Sequence, residues 1–571
     1  PSAPSIMYRS LGSKIKSLDP AEASDASIPV MVGQVCESLL QFSYLSRPYQ
    51  VEPCLAEALP VVSADGLTYT FRIRKGVFFA DDPCFIATGG KGRELVALDF
   101  VYAWKRLADA KRKSPGWGFF KDRIKGFNDF ATTSGGKTPT DYGWPVAGLR
   151  TPDPYTLVIE LTGPYPQLQY VLTMPYTVAF PREADDHYKD HVMEHPVGTG
   201  PFFLREWSGN KLVFARNPRF RGETYPAVGE AGDKEAGLLE DAGKPLPFLD
   251  GIEFSIIVES QPSWLEFLCG NFDISSIPKD TFDLVITGNQ DLSQEMKARG
   301  LKLWKAVTLS VNYIGLNLED PILKNPFLRR ALSLAFNFSA RQKYMNNRLL
   351  RAYGPLPPIL AGYNPALRSP YADLDLARAR EFLARAGYPE GRTPNGKPLT
   401  LTYEAGDTST STRQTLELFT HDLKRLGIDL EANFNTWPAY RRKLFARQCQ
   451  IWGSNWLGDY PDAENFLMLF YGPKAPNPNY TCHDDPRYNA LFEKMRGMPD
   501  GPERQGIIDE MVGIVNEACP WIYTGYNLSF VLQYDWVRNY KPHDVGYNTY
   551  KYYRLDTARR AGQQARFRER N

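Results

Sequence analysis

The chain has 571 residues, 43% of them hydrophobic and 13% aromatic, with 67 Lys and Arg against 65 Asp and Glu for a formal net charge of +2. That length implies about three to four domains, and the composition is that of a folded protein rather than a disordered one. Near-neutral charge excludes a whole-protein field for nucleic acid or anionic membrane, and no run of about 18 apolar residues offers a membrane span.

The chain opens on PSAPSIMYRS, a Pro/Ser/Ala lead into a strand-like segment. No signal peptide is visible, which we read as a mature or trimmed N-terminus. An Asp65-Gly66 turn precedes LTYTFRIRKGVFF (67–79), where Tyr69, Phe71 and Ile73 alternate with Thr70, Arg72 and Arg74 in a strand pattern. LVALDFVYAWKRLADAKR (95–112) predicts a helix with Asp99 near its start and Phe100, Trp104 and Leu107 on its inner face. The stretch 132–145 reads as a loop, TLVIELTGP (156–164) as a strand, and KLVFARNPRF (211–220) as a strand with an Asn-Pro turn.

Residues 221–247 are glycine-rich and read as a surface excursion. NPFLRRALSLAFN (325–337) predicts a helix with Pro326 at its start and Leu328, Leu332 and Ala335 on one side. LDLARAREFLARAGYPEG (374–391) predicts a helix stopped by Gly387 and Pro389. TLELFTHDLKRLGIDLEANF (415–434) reads as helix, glycine stop and strand. The last fifteen residues, TARRAGQQARFRERN, are basic without apolar periodicity and predict a frayed, solvated tail. The mixture is α/β, and no repeat with a period of 20–50 residues occurs.

Motifs for catalysis and cofactors fail one after another. SGGKTP (134–139) lacks the first glycine of a phosphate loop, since Ala131 stands there. GTGPFF (198–203) misses the third glycine of the dinucleotide pattern, and no Gly-x-Ser-x-Gly elbow occurs. His187, His191 and His195 would share one helix face, with Asp186 and Glu194 nearby, but Pro196 ends the run and a solvated face accounts for them. Asp459, Asp462 and Glu464 lack the glycine and ligand order of a calcium loop. No cofactor and no metal are expected. The seven cysteines, 36, 54, 84, 269, 449, 482 and 519, include no Cys-x-x-Cys. They allow at most three disulfides, and most read as small buried residues.

One stretch stands apart. QIWGSNWLGDYPDAENFLMLFYG (450–472) starts as a buried strand and ends on Trp456, a glycine and Asp459. An acid beside an indole at a strand end suggests a pocket for a cation.

Several segments, in order, carry a resemblance: SLDPAEASDASIPVMVGQVCESLLQF (17–42), EPCLAEALPVVSADGLTYTFRIRKGVFFADD (52–82), ALDFVYAWKRLAD (97–109), VGTGPFFLREWSGNKLVFARNPRFRGE (197–223), LPFLDGIEFSIIVESQPSWLEFLCGNFDI (246–274), NYIGLNLEDPILKNPFLRRALSLAFN (312–337) and WGSNWLGDYPDAENFLMLFYG (452–472). Together they resemble the peptide-type, family 5 extracellular solute-binding proteins that feed ABC importers. The resemblance implies a bilobal periplasmic-binding-protein clamshell of two α/β lobes and two crossovers, with an extra domain inserted in the first lobe. By position, lobe one is 1–43, 180–308 and 525–571, the insert 44–179 and lobe two 309–524.

The resemblance also implies site residues. Asp459 would pair with a peptide's α-ammonium beside Trp456. Backbone at Asn455 and Leu457, and at Ser24, Asp25 and Ala26, would pair with the ligand's main chain. Trp437, Trp117 and Tyr313 would be aromatic walls, although each also reads as a core or surface aromatic. The places where some relatives hold a ligand carboxylate carry Leu444 and Gly453 here, with Arg441, Arg442 and Arg447 out of register. The expected function is a monomeric, periplasmic or lipid-anchored binding protein for a peptide or peptide-like cation, working with ABC permease subunits and without enzymatic activity. A non-peptide solute (oligosaccharide, opine or metal chelate) and a hydrolase are the alternatives.

Overall fold

The computed structural model describes residues 3–23 and 27–570. The chain divides into two compact units, residues 1–304 with 531–571, and residues 305–530.

Unit one holds two four-stranded sheets. In the first, β1 (Ile6–Leu11) runs parallel to a strand far along the chain, Gly251–Ile256, in register Ile6↔Gly251. The second contains β2 (Thr68–Arg72), paired antiparallel to Thr156–Glu160. Its predicted alternation is realised: Tyr69, Phe71 and Ile73 are buried. Helix α1 (Ala97–Ala108) buries Phe100, Trp104 and Leu107 in the core beneath this sheet. Asp99 accepts the Val96 N–H at 2.9 Å, so an acid caps the first turn.

Helix α2 (Arg182–Tyr188) ends where Lys189 turns to a φ of 51°, and a 3₁₀ stretch, Lys189–Glu194, follows. The three histidines therefore do not share one helical face. His195 stacks on Tyr188 at 4.1 Å, and His191 is exposed. Among the described residues no group of three or more His, Cys, Asp or Glu is placed to hold a metal. Two antiparallel strands complete the first sheet, β3 (Phe202–Ser208) and β4 (Lys211–Arg216). The excursion after them has no regular strand or helix, yet it is anchored: Asp233 takes the buried Lys541 ammonium at 2.8 Å.

Unit two is built on a sheet that starts with β5 (Ser310–Leu316). Helix α3 (Pro326–Ala335) begins at its proline, with the Asn325 side chain accepting Phe327 N–H at 3.0 Å. Leu328, Leu332 and Ala335 face the core as predicted. Helix α4 (Phe338–Tyr344) follows, then α5 (Leu376–Arg385), after which Gly387 adopts the left-handed conformation that stops the helix. Strand β6 (Thr400–Ala405) leads to α6 (Thr410–Lys424), and β7 (Asp429–Phe434) lies parallel to β6. Ser409 caps α6, so the helix starts five residues before the predicted 415. Helix α7 (Trp437–Phe445) returns the chain to β8 (Ile451–Leu457), which enters the sheet between β5 and β6, antiparallel to the first and parallel to the second. Short helix α8 (Ala463–Leu467) follows. Strand β9 (Trp521–Tyr534) pairs with β5.

The C-terminal segment corrects the sequence reading. Residues 557–570 form a helix, α9 (Thr557–Arg570), not a frayed tail. Phe567 is buried against Tyr534, the Arg560 guanidinium donates to Ile6 O at 2.7 Å, and Arg559 pairs with Asp535. The arginine stems and heads supply the docking face that apolar periodicity would ordinarily announce. All seven cysteines are free thiols, and only Cys269 is exposed.

Candidate functional site

Strand β8 carries the predicted site residues to the edge of unit two's sheet. Gly458, next after the strand, sits where a Cβ would approach Leu309 Cδ2 at 2.9 Å and Phe466 Cε2 at 3.0 Å. A side chain there would push Asp459 away from α8. Beyond this glycine, Asn465 on α8 is fully buried and organises the corner. Its Nδ2 donates to Asp459 Oδ2 at 3.0 Å. Its Oδ1 accepts the Asp459 N–H at 3.0 Å and Trp456 Nε1 at 3.1 Å. The acid and the indole are thus fixed by one amide.

The neighbouring carboxylates are spoken for. Asp462 caps α8 and pairs with the buried Arg504 at 2.6 Å, and Glu464 accepts the Tyr460 hydroxyl. Asp459 differs: among the described residues no cation lies within ion-pair distance. Burial pushes its carboxyl above the usual carboxylate range, and the Asn465 hydrogen bond offsets this only in part. An ionised carboxylate there lacks the charged partner that would offset its desolvation.

The strand edge beside it is open. Backbone groups alternate between the two edges of a strand. The Gly453 carbonyl accepts the Tyr440 hydroxyl at 2.9 Å on the edge away from β5, whereas Gly458 N–H donates to Leu309 O at 2.8 Å on the β5 side. Asn455 and Leu457 share the parity of Gly453, so their N–H and C=O groups lie on the edge away from β5. Strand β6 meets that edge only at Ile451 and Trp452. From Gly453 to Leu457 no described strand covers it, and such an edge accepts an added strand.

Beside the edge is a cavity of about 580 Å³ within unit two. Tyr313, Trp437 and Asn455 from the predicted set line it, with Arg341, Tyr403 and Tyr440, which sequence reasoning missed. Tyr313 is buried and stacks on Trp521 at 3.5 Å, so it is both wall and core. Trp437 is 58% exposed and leans on Tyr440. Asn455 Nδ2 donates to Asn312 Oδ1 at 2.8 Å. Burial raises the Tyr403 hydroxyl to about 12, so it remains a neutral donor. It stands where a Gly453 Cβ would be, 2.1 Å from that position.

The remaining predicted residues lie elsewhere. Trp117 belongs to unit one, where its ring meets Phe127 edge-on at 5.1 Å and packs on the core. Ser24, Asp25 and Ala26 fall outside the described residues. Leu444 is a core residue on the buried face of α7. Arg447 pairs with Glu319 at 2.8 Å, which accounts for one of the out-of-register arginines.

The sequence profile of bacterial extracellular solute-binding proteins, family 5 Middle, matches residues 50–478. The chain belongs to this family. It is 24% identical over 538 residues to heme-binding protein A of Haemophilus influenzae, covering 90% of this chain and 86% of that protein. It is 23% identical to the oligopeptide-binding protein OppA of Bacillus subtilis, covering 88% and 84%. Among solved structures, the periplasmic binding protein DppA of Helicobacter pylori in complex with the peptide STSA superposes with a TM-score of 0.75 at 23% identity, covering 96% of this chain and 98% of that one. The family 5 chain therefore has the α/β fold of these binding proteins. No helix among its described residues is long and apolar enough to cross a membrane.

Proposed function

We propose that this family 5 protein captures a peptide or peptide-like solute bearing a free ammonium and delivers it to an ABC-type membrane importer from an extracytoplasmic position. It acts as a monomeric binding protein, periplasmic or lipid-anchored, rather than as a hydrolase. The observation that carries the reading is Asp459: a half-buried carboxylate with no cation within ion-pair distance among the described residues, held by Asn465 at the end of a strand edge left unpaired. An ammonium supplies the missing charge. A peptide backbone supplies the missing strand. The relatives named for oligopeptide and di/tripeptide binding support the substrate class. In this reading residues 1–43, 180–308 and 525–571 form one lobe, 44–179 an insert and 309–524 the second lobe. Ligand selects a closed population by its contacts there.

The test is calorimetric titration of the full chain with di- to pentapeptides, each free and N-acetylated. Free peptides are expected to bind, with acetylation or Asp459→Asn abolishing the heat. Equal binding of acetylated and free peptides would overturn the reading.

A further inference from the structure

The cavity in unit two is lined by an ionic group that the Asp459 corner does not use. Arg341, on α4, lines it. Its Nε is buried without a hydrogen-bond partner. Among the described residues its guanidinium makes no ion pair. Arg329, one helix earlier, shows the ordinary arrangement: it donates to Leu323 O at 2.7 Å, Lys324 O at 2.9 Å and Ala518 O at 2.7 Å. Among the described residues Arg341 has no such carbonyl collar. Its electrostatic neighbours are the Tyr403 and Tyr344 hydroxyls, and desolvation draws its pKa below the usual arginine range.

Among the described residues, the carboxylate lining the same cavity is held by its own loop. Asp407 accepts Ser409 N–H at 2.8 Å and the Thr412 hydroxyl at 2.8 Å. A half-buried guanidinium whose Nε lacks a partner is stabilised by an anion that joins it. Its planar fork matches a carboxylate. The cavity, about 580 Å³, has room for a ligand side chain or chain end. Leu444 and Gly453 offer no charge of their own, so the cation stands on a different element of the same unit.

We propose that Arg341 is the anion-recognising residue of this cavity and takes a carboxylate of the bound solute. The proposal rests on the peptide-like reading above. The shared chemistry is a carboxylate, supplied either by a peptide's C-terminus or by an acidic side chain.

Four probes separate the sources in calorimetric titrations of the full chain: Ala-Ala-Ala, its C-terminal amide, Ala-Glu-Ala and Ala-Gln-Ala. In the wild type, one acid is expected to bind at least about tenfold more tightly than its amide partner, the value of a charge-assisted hydrogen bond. In Arg341→Met that preference disappears. The variant's thermal midpoint is expected to equal or exceed the wild type's, because a half-buried, unpaired guanidinium has been removed. Equal affinities within both pairs, or a preference that survives Arg341→Met, overturns the assignment while leaving the ammonium reading intact. If none of the four peptides binds, the ammonium reading falls, and glutarate, a dicarboxylate without an ammonium, decides this one. Millimolar glutarate should then raise the midpoint of the wild type and not of Arg341→Met; raising both or neither overturns the proposal.

Discussion

Asn465 and Asp459 hold each other in a reciprocal pair, amide nitrogen to carboxylate at 3.0 Å and backbone N–H to amide oxygen at 3.0 Å. The same amide oxygen accepts Trp456 Nε1. Replacing Asn465 with alanine therefore leaves three groups without partners. The expected cost is about 2 kcal/mol of stability, the scale for an unsatisfied buried group. Peptide affinity should fall by at least about tenfold. Urea melts and titration calorimetry on one preparation read both numbers.

Asp459 should leave a signature in the pH dependence of stability. Its folded-state pKa is raised by burial, so the native state binds more protons than the unfolded chain. Its contribution is then fully present below the unfolded carboxylate value of about 3.9 and is lost as pH rises through the folded value. Asp459→Asn should accordingly be more stable than the wild type at pH 7, with the difference vanishing towards pH 3. A ligand ammonium favours the ionised form, so peptide binding should release protons and strengthen as pH rises through the same window. Calorimetry in buffers of different ionisation enthalpy measures that release.

The buried cluster in unit one titrates in the opposite sense. Arg106 donates to Asp19 at 2.9 and 2.7 Å and to Asp185 at 2.6 Å, with all three side chains almost fully enclosed. Burial pushes the Asp19 carboxyl up, but Arg106 more than reverses the effect and its pKa ends below the usual value. That stabilisation is present above a pH of about 3.9 and is lost as pH falls through the lower folded value. Arg106→Ala leaves Arg112, 3.0 Å from Asp185 and 3.7 Å from Asp19, as the cation for both carboxylates, and should still cost about 3 kcal/mol. Denaturant melts between pH 3 and 7 should show the cost shrinking on acidification.

Thiol titration offers a check on the cysteines. Cys269 is exposed, while burial raises the Cys482 thiol to about 11 and the Cys54 thiol to about 12. A polar disulfide reagent at pH 8 should count one reactive thiol per native chain and seven after denaturation. Cys269→Ser should remove the native signal and leave the unfolding free energy within about 0.5 kcal/mol of the wild type's.

Local signals made much of the scaffold legible. Pro326, Gly387 and the Leu328–Leu332–Ala335 stripe marked helices that the structure contains, because caps and periodicity act within a few residues. The acid and indole at the end of β8 were visible for the same reason: a strand that stops at Trp456-Leu-Gly-Asp is unusual in itself. Asn465 was not visible, since nothing in DAENF distinguishes a helix-surface asparagine from one buried to 0% exposure. Arg341 escaped for a different reason. Its isolation depends on Tyr403, sixty residues on, and on Asp407 being satisfied by its own loop. The C-terminal helix was misread because its anchors are mostly arginines and glutamines, whose partners Ile6, Gly270 and Asp535 lie hundreds or tens of residues away.

The bare rim of β8 is also a hazard that the protein must manage. Hydrogen-bonding groups that welcome any extended main chain do not distinguish a peptide ligand from a neighbouring molecule. Concentrated, empty protein should therefore tend towards reversible self-association through this rim, and saturating cargo should disperse it, so that occupancy doubles as a safeguard against clumping.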